Sequence, residues 1–187
     1  IVHWPSKVAA GQVIDKPVHI IDLYPTFMEI AGGDAGSHYL DGASILSLMD
    51  GRGGFDRDAI YMHTPLYIPH YNKTPSSLIR TDDYKLIYFH GDYLHESDYK
   101  TVIPGERYEL YRINEDISEQ KNLADAMPEK TAELKSKLHA WLEETGAQMP
   151  VINPDFDLDS WQFKTSSRLD HKGNVCLLYT SPSPRDK

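Results

Sequence analysis

Three stretches of this sequence predict an α+β unit, an antiparallel sheet packed by one helix. Ser77–Arg80 and Tyr84–Phe89 are β-rich runs on either side of Thr81-Asp82-Asp83, whose short polar side chains favour a tight turn. Arg107-Tyr108-Glu109-Leu110-Tyr111 alternates with period two and predicts a third strand beside that hairpin. From Pro128 the period changes to 3.6. Leu134, Leu138, Trp141 and Leu142 form one stripe, opposite a polar face of Lys130, Glu133, Lys137 and Glu144. Such a helix buries its stripe by lying across one face of the sheet.

The 187 residues are 40% hydrophobic and 25% charged, the balance of a globular chain. No apolar run approaches the ~20 residues of a membrane helix. A formal charge of −9 argues against a non-specific nucleic-acid binder, which needs clustered Lys and Arg. It does not exclude an anionic small substrate, because a metal or a few focused cations can reverse the local field. The sequence starts at Ile1 without methionine and is expected to be a cut through a longer protein.

Taken in order, Ile1–Pro5 is a β-branched and aromatic run stopped by proline, expected as a short strand. Asp22 is expected to cap a helix over Leu23–Ala31. Pro25 lies in its first turn, Leu23, Phe27, Ile30 and Ala31 share one apolar face, and Gly32-Gly33 stops it. Ser44 can cap a brief helix over Ile45–Met49. Gly51, Gly53 and Gly54 then break the chain and are the expected boundary between two subdomains. No helix or Lys-Ser/Thr pair follows them, which argues against a phosphate-cradling loop. Ala59–Met62 predicts a strand. His63 to Thr74 predicts a long loop rich in His and Tyr, and Asn114-Glu115-Asp116 predicts a turn. Pro128 suits the first position of the long helix and Gly146 its stop. Beyond Met149 an extended tail is expected.

Several of these pieces fall in a familiar order. Ile1-Val2-His3-Trp4-Pro5, Asp22-Leu23-Tyr24-Pro25-Thr26 with Ala31-Gly32, and Leu40-Asp41-Gly42-Ala43-Ser44 resemble successive landmarks in the later part of type I sulfatases, a group that includes the arylsulfatases and N-sulphoglucosamine sulphohydrolases. Arg80–Ile87, Glu109-Leu110-Tyr111 and Asp116–Ala124 continue the series. Each piece alone is a turn plus a strand or cap, but their shared order is specific.

The resemblance implies an alkaline-phosphatase-like α/β domain, of which residues 1–50 are the last elements. A carboxy-terminal α+β subdomain over 51–150 and an extended tail over 151–175 follow. It also implies hydrolysis of sulfate esters of sulfated carbohydrates or aryl sulfates. In that family a divalent cation, usually calcium, serves a formylglycine nucleophile made in a Cys/Ser-x-Pro-x-Arg motif. Both the calcium ligands and that motif are expected upstream of Ile1, so the fragment alone is expected to be inactive. Its partners would be the substrate and the amino-terminal α/β domain of the same protein. A periplasmic or secreted location follows from the family only.

The chemistry explains these requirements. Sulfate spreads its charge over its oxygens, so a hard cation with oxygen ligands must polarise it while donors stabilise the leaving charge. Asp56 and Asp58 have calcium-loop spacing without the further ligands, so a solvated loop is the expectation. By the same resemblance, the loop before the hairpin approaches the substrate pocket, which makes His70, His63 and Tyr71 candidate substrate-binding residues. Imidazole could hydrogen-bond sugar hydroxyls or a sulfate. The alternative is that these side chains pack a seam between subdomains. His19 is expected as a satisfied interior histidine, Arg80 as a partner of Asp82 or Asp83, and Lys85 as a sheet-edge charge. Asn72-Lys73-Thr74 matches a glycosylation sequon.

Residues 176–187 are expected to be an artefact, because Cys176 to Asp186 resemble the translation of a sequencing-library adapter. The single cysteine therefore carries no expected disulfide or thiol chemistry. Two rival readings stay open: a phosphonate or phosphate monoester hydrolase of the same superfamily, and a non-catalytic glycan- or protein-binding module.

Overall fold

The computed structural model describes residues 1–34, 36, 38–66, 75–91, 93–94, 102–103, 106–151 and 154. A four-stranded antiparallel sheet has the order β1 (Ile60–Thr64), β2 (Ser76–Arg80), β3 (Tyr84–Phe89), β6 (Tyr108–Arg112). Two short strands between β3 and β6, β4 (Tyr93–Leu94) and β5 (Val102–Ile103), pair with each other. The β2–β3 hairpin is thus the central pair and β6 its neighbour, as the sequence predicts. The turn is closed by Thr81, whose N–H donates to the Tyr84 carbonyl at 2.9 Å while the Tyr84 N–H donates to Thr81 Oγ1 at 3.1 Å.

Helix α3 (Pro128–Glu144) begins with its proline at the first turn. It buries Leu134, Leu138 and Leu142 against Ile79, Leu86 and Leu110 of the sheet. Each fully buried side chain of this kind contributes about 2 kcal/mol of transfer free energy. Trp141 flanks the core and stacks on Tyr61 at 5.1 Å between ring centroids. At the carboxyl end Gly146 takes φ +60°. Its N–H donates to the Glu143 carbonyl and the Ala147 N–H to the Leu142 carbonyl, a pair of bonds that satisfies the last turn.

The strand register sorts the sheet into rows. Tyr61, Ile79, Leu86 and Leu110 lie side by side under α3, and two residues along each strand come His63, Ser77, Tyr88 and Tyr108. The helix-covered face is therefore apolar in one row and polar in the next.

Residues 1–58 are built on local hydrogen bonds around α1 (Leu23–Ile30) and α2 (Leu46–Met49). Asp22 does not cap α1 with its side chain, contrary to expectation. Its carboxylate instead accepts from the His19 N–H at 2.7 Å and the Ala43 N–H at 3.0 Å, and it receives the Arg57 guanidinium. The His19 bond closes the capping box of the 3₁₀ turn Ile20–Asp22, and a carboxylate that adds two tertiary donors to it gains more than one spent on the end of α1 alone. His19 begins the short 3₁₀ turn Ile20–Asp22, and Thr26 accepts from the Ile45 N–H at 3.0 Å. Gly42 lies so close to this turn that an added Cβ would stand 2.1 Å from the Ile21 carbonyl oxygen.

Other expectations are corrected. Ile1–Pro5 is not a strand. The Trp4 carbonyl accepts from the Lys7 and Val8 N–H groups, and no strand among the described residues lies beside it. Ser44 sits one residue before the cap of α2, where its hydroxyl accepts from the Leu46 N–H at 3.3 Å. Lys85 is on a central strand and pairs with Glu119 at 2.7 Å. Arg80 donates to the Thr81 carbonyl, because Lys16 takes Asp82 and Asn114 takes Asp83.

α1 leaves its apolar residues outside. Leu23, Tyr24, Phe27 and Ile30 are 41–62% exposed, and Ile20 and Ile21 beside them are open as well. Monomeric proteins rarely leave so contiguous an apolar surface uncovered.

Candidate functional site

The polar row at the end of the sheet brings together His63, Tyr88, His90, Tyr108 and His139. Period two puts His63 and Ser77 on the helix-covered face, directly opposite each other across β1 and β2. His63 Nδ1 is 2.7 Å from Ser77 Oγ, and Ser77 Oγ is 2.8 Å from Nε2 of His90, just beyond β3. His63 Nε2 lies 2.9 Å from the Gln148 carbonyl oxygen, in the segment after α3. His90 stands edge-on to Tyr88, which stacks on Tyr108, and the Tyr108 hydroxyl meets His139 of α3 at 2.7 Å.

The hydrogen-bond directions follow by elimination. A carbonyl oxygen only accepts, so His63 carries its proton on Nε2. In the tautomer with its single proton there, His63 accepts at Nδ1 and Ser77 donates to it. Ser77 in turn accepts from Nε2–H of His90. The remaining lone pair, on His90 Nδ1, is buried without a hydrogen-bond partner. Burial pushes the His90 imidazole down to about 4, and the neighbouring His63 and His139 act in the same direction. Burial and Lys135 lower His139 too, and burial with the adjacent Tyr88 raises the Tyr108 phenol.

A hydroxyl between two imidazoles has the parts of a nucleophile and base, but Ser77 is 1% exposed. No electrophile can reach its oxygen, so the row is a buried support. Of the candidate substrate-binding residues, His63 is placed in this support with both ring nitrogens engaged. His70, Tyr71 and the Asn72 sequon lie outside the described residues, as do Cys176 and the adapter-like end. Sequence reading missed Ser77, His90 and His139. Only the β1–β2 register and the crossing of α3 could have joined them.

A second polar group joins the first fifty-odd residues to the sheet. Asp22 is fully buried and Arg57 nearly so, and two guanidinium nitrogens grip the two carboxylate oxygens. Burial pushes the Asp22 carboxyl up, but Arg57 and the His19 and Ala43 N–H groups outweigh it and hold the carboxyl below the usual carboxylate range. Arg57, Lys16 and Arg80 border a small cleft with Asp58 and Asp82. Lys16 and Arg57 are committed to Asp82 and Asp22.

No three His, Cys, Asp or Glu side chains among the described residues are grouped to hold a metal ion. Asp58 faces Lys137 at 3.8 Å. The donor set of a calcium site is not met here, and no chemical step through calcium or formylglycine can be derived from these residues. No described helix is long and apolar enough to cross a membrane.

The fold defines a class first: a small antiparallel sheet covered on one face by a single helix, preceded by short helices with an open apolar surface. Residues 1–148 match the family described as N-sulphoglucosamine sulphohydrolase, C-terminal, and the chain belongs to that family. A sulfatase of Formosa agariphila is 29% identical over 163 residues, covering 79% of this chain and 27% of the relative. An N-acetylglucosamine-6-O-sulfatase of Bacteroides thetaiotaomicron is 27% identical over 172 residues, covering 90% and 28%. A solved protein in complex with its substrate D-glucosamine-2-N,6-O-disulfate superposes with a TM-score of 0.57 at 26% identity, covering 80% of this chain and 29% of that one. The chain thus spans a little over a quarter of the length of these relatives.

Proposed function

We propose that this chain is the carboxy-terminal part of a sulfuric ester hydrolase whose substrate is a sulfated carbohydrate. The family match over residues 1–148 carries this reading. The relatives named for N-acetylglucosamine-6-O-sulfatase activity and bound to a disulfated glucosamine favour an amino sugar sulfate over a simple aryl sulfate.

In this reading the bond-breaking groups belong to sequence preceding Ile1: a formylglycine nucleophile and the oxygen ligands of a calcium ion. Hard-cation chemistry at a sulfate needs such a ligand cluster, and the described residues do not form one. This part of the protein would instead shape the pocket. His70 is the foremost substrate contact, with Tyr71 behind it. His63 would contribute through Nε2, the atom now on the Gln148 carbonyl. The open face of α1, with Leu23, Tyr24, Phe27 and Ile30, packs against the amino-terminal α/β domain of the same protein. The remaining length of the relatives leaves ample chain for such a domain. The location that goes with this reading is periplasmic or secreted.

The test is to recover the coding sequence upstream of Ile1, express the whole protein and measure sulfate release from 6-O-sulfated N-acetylglucosamine, an aryl sulfate and a phosphate monoester. Release from the sugar sulfate is expected to dominate, with KM raised about tenfold by His70→Ala. Absence of a Cys/Ser-x-Pro-x-Arg motif upstream, or preference for the phosphate ester, would overturn the assignment.

A further inference from the structure

The joint that leads from α2 to β1 differs from the short turns elsewhere in the chain. Residues 52–59 belong to no helix or strand, and Arg52, Gly53 and Gly54 are exposed to water. We infer that the Arg52–Gly53 bond is a specific cleavage site for an endoprotease that cuts after arginine, and that the cut leaves the sheet–helix unit folded.

Access to the bond comes from the backbone. A protease takes its substrate as an extended segment and grips several residues on either side of the bond, which favours exposed loops of small residues. Gly51 and Gly53 flank Arg52 at φ +76° and +71°, and a Cβ added to either would meet nothing within 4 Å. The main chain therefore stands clear of its surroundings at the bond. Glycine passes from these angles to an extended conformation without steric cost. The Arg52 N–H donates to the Asp50 carboxylate and the Gly53 N–H to the Ser47 carbonyl, both at 3.1 Å. Both bonds are local, and opening them disturbs no strand.

The side chain is presented as well. Arg52 is 59% exposed there, and its guanidinium is shared between Asp50 at 2.7 Å and Glu29 at 3.3 Å. Exposed pairs of this kind hold little. A protease pocket with a carboxylate at its base offers a stronger charge-assisted contact away from water. The other described arginines are withheld. Arg57 is 12% exposed and holds Asp22. Arg80 and Arg112 lie in strands of the sheet, and the Arg107 carbonyl accepts from the Phe89 N–H.

The cut has a defined product. Water adds across the peptide bond, leaving a carboxylate on Arg52 and an amine on Gly53. The buried core between α3 and the sheet, from Ile79 to Leu142, lies wholly beyond Gly53. No described strand or helix is divided, since α2 ends at Met49 and β1 starts at Ile60. The Asp22–Arg57 and Lys16–Asp82 pairs then tie the two parts in place of a peptide bond.

The test is brief digestion of the full chain with clostripain, which cuts after arginine, followed by mass and amino-terminal sequence of the products. Among bonds within residues 1–66 and 106–151, the one after Arg52 is expected to be cut first. The product that starts at Gly53 is expected to persist and to unfold in urea in one cooperative transition. Arg52→Lys keeps the charge and the exposed ion pairs, so it leaves the fold unaltered, and it is expected to slow this cut about 100-fold. An earlier cut at another bond in those ranges, an unchanged rate in Arg52→Lys, or a Gly53 product degraded as fast as it forms would overturn the site.

Discussion

Arg57 grips the fully buried carboxylate of Asp22 with both terminal nitrogens, one of them at 2.6 Å, across a separation of 35 residues. The pair fastens the α1 region to the stretch that leads into β1, and two backbone N–H groups complete the carboxylate. Removing one member leaves the other buried without a counter-charge. Asp22→Asn is therefore expected to lower unfolding free energy by about 3 kcal/mol in denaturant titration.

The same pair sets an acid limit. Asp22 is held below 3.8, so its contribution is complete above that unfolded value and is lost as pH falls through the lowered folded value. Equilibrium unfolding of the parent chain is expected to show a steeper loss of stability below pH 4 than that of Asp22→Asn. Parallel curves would show that the pair carries no such linkage.

Gly42 tests packing without involving charge. A methyl group there would meet the Ile21 carbonyl at 2.1 Å, backbone against backbone, so the 3₁₀ turn must move. Gly42→Ala is expected to cost about 2 kcal/mol and to raise hydrogen exchange at Ala43.

Leu138, fully buried between α3 and the sheet, is expected to cost about 3 kcal/mol when truncated to Ala, measured by urea unfolding. Phe27, 62% exposed on α1, should behave oppositely. Phe27→Ser is expected to change stability by less than about 0.5 kcal/mol, yet to reduce binding of a hydrophobic dye to the chain. In the longer protein the same substitution would destabilise, if the proposed α/β domain covers that face.

The periodicities of this sequence determined where the four main strands lie and the long helix with its ends, but not the reach of β1. That strand runs on through His63 and Thr64, expected as loop, because they pair with Ser77 and Ser76 of β2. Turn residues, proline and apolar spacing act within a few neighbours, and nothing distant overrode them elsewhere. That is why Thr81–Tyr84 closes the hairpin and Leu134, Leu138 and Leu142 form the buried stripe. The order of motifs also carried the family, since residues 1–148 match it. Tertiary structure alone decided the polar relationships. Asp22 has the local signature of a cap and closes the capping box of the 3₁₀ turn with the His19 N–H, but the distant donors Ala43 and Arg57 take its carboxylate away from the end of α1. Lys85 looks like an edge charge until β6 makes its strand central. His63, Ser77, His90 and His139 lie far apart in sequence, and only strand register and the crossing of α3 bring them into one row. Hydrogen bonds depend on positions to within a few tenths of an ångström, and a one-dimensional pattern does not contain that information.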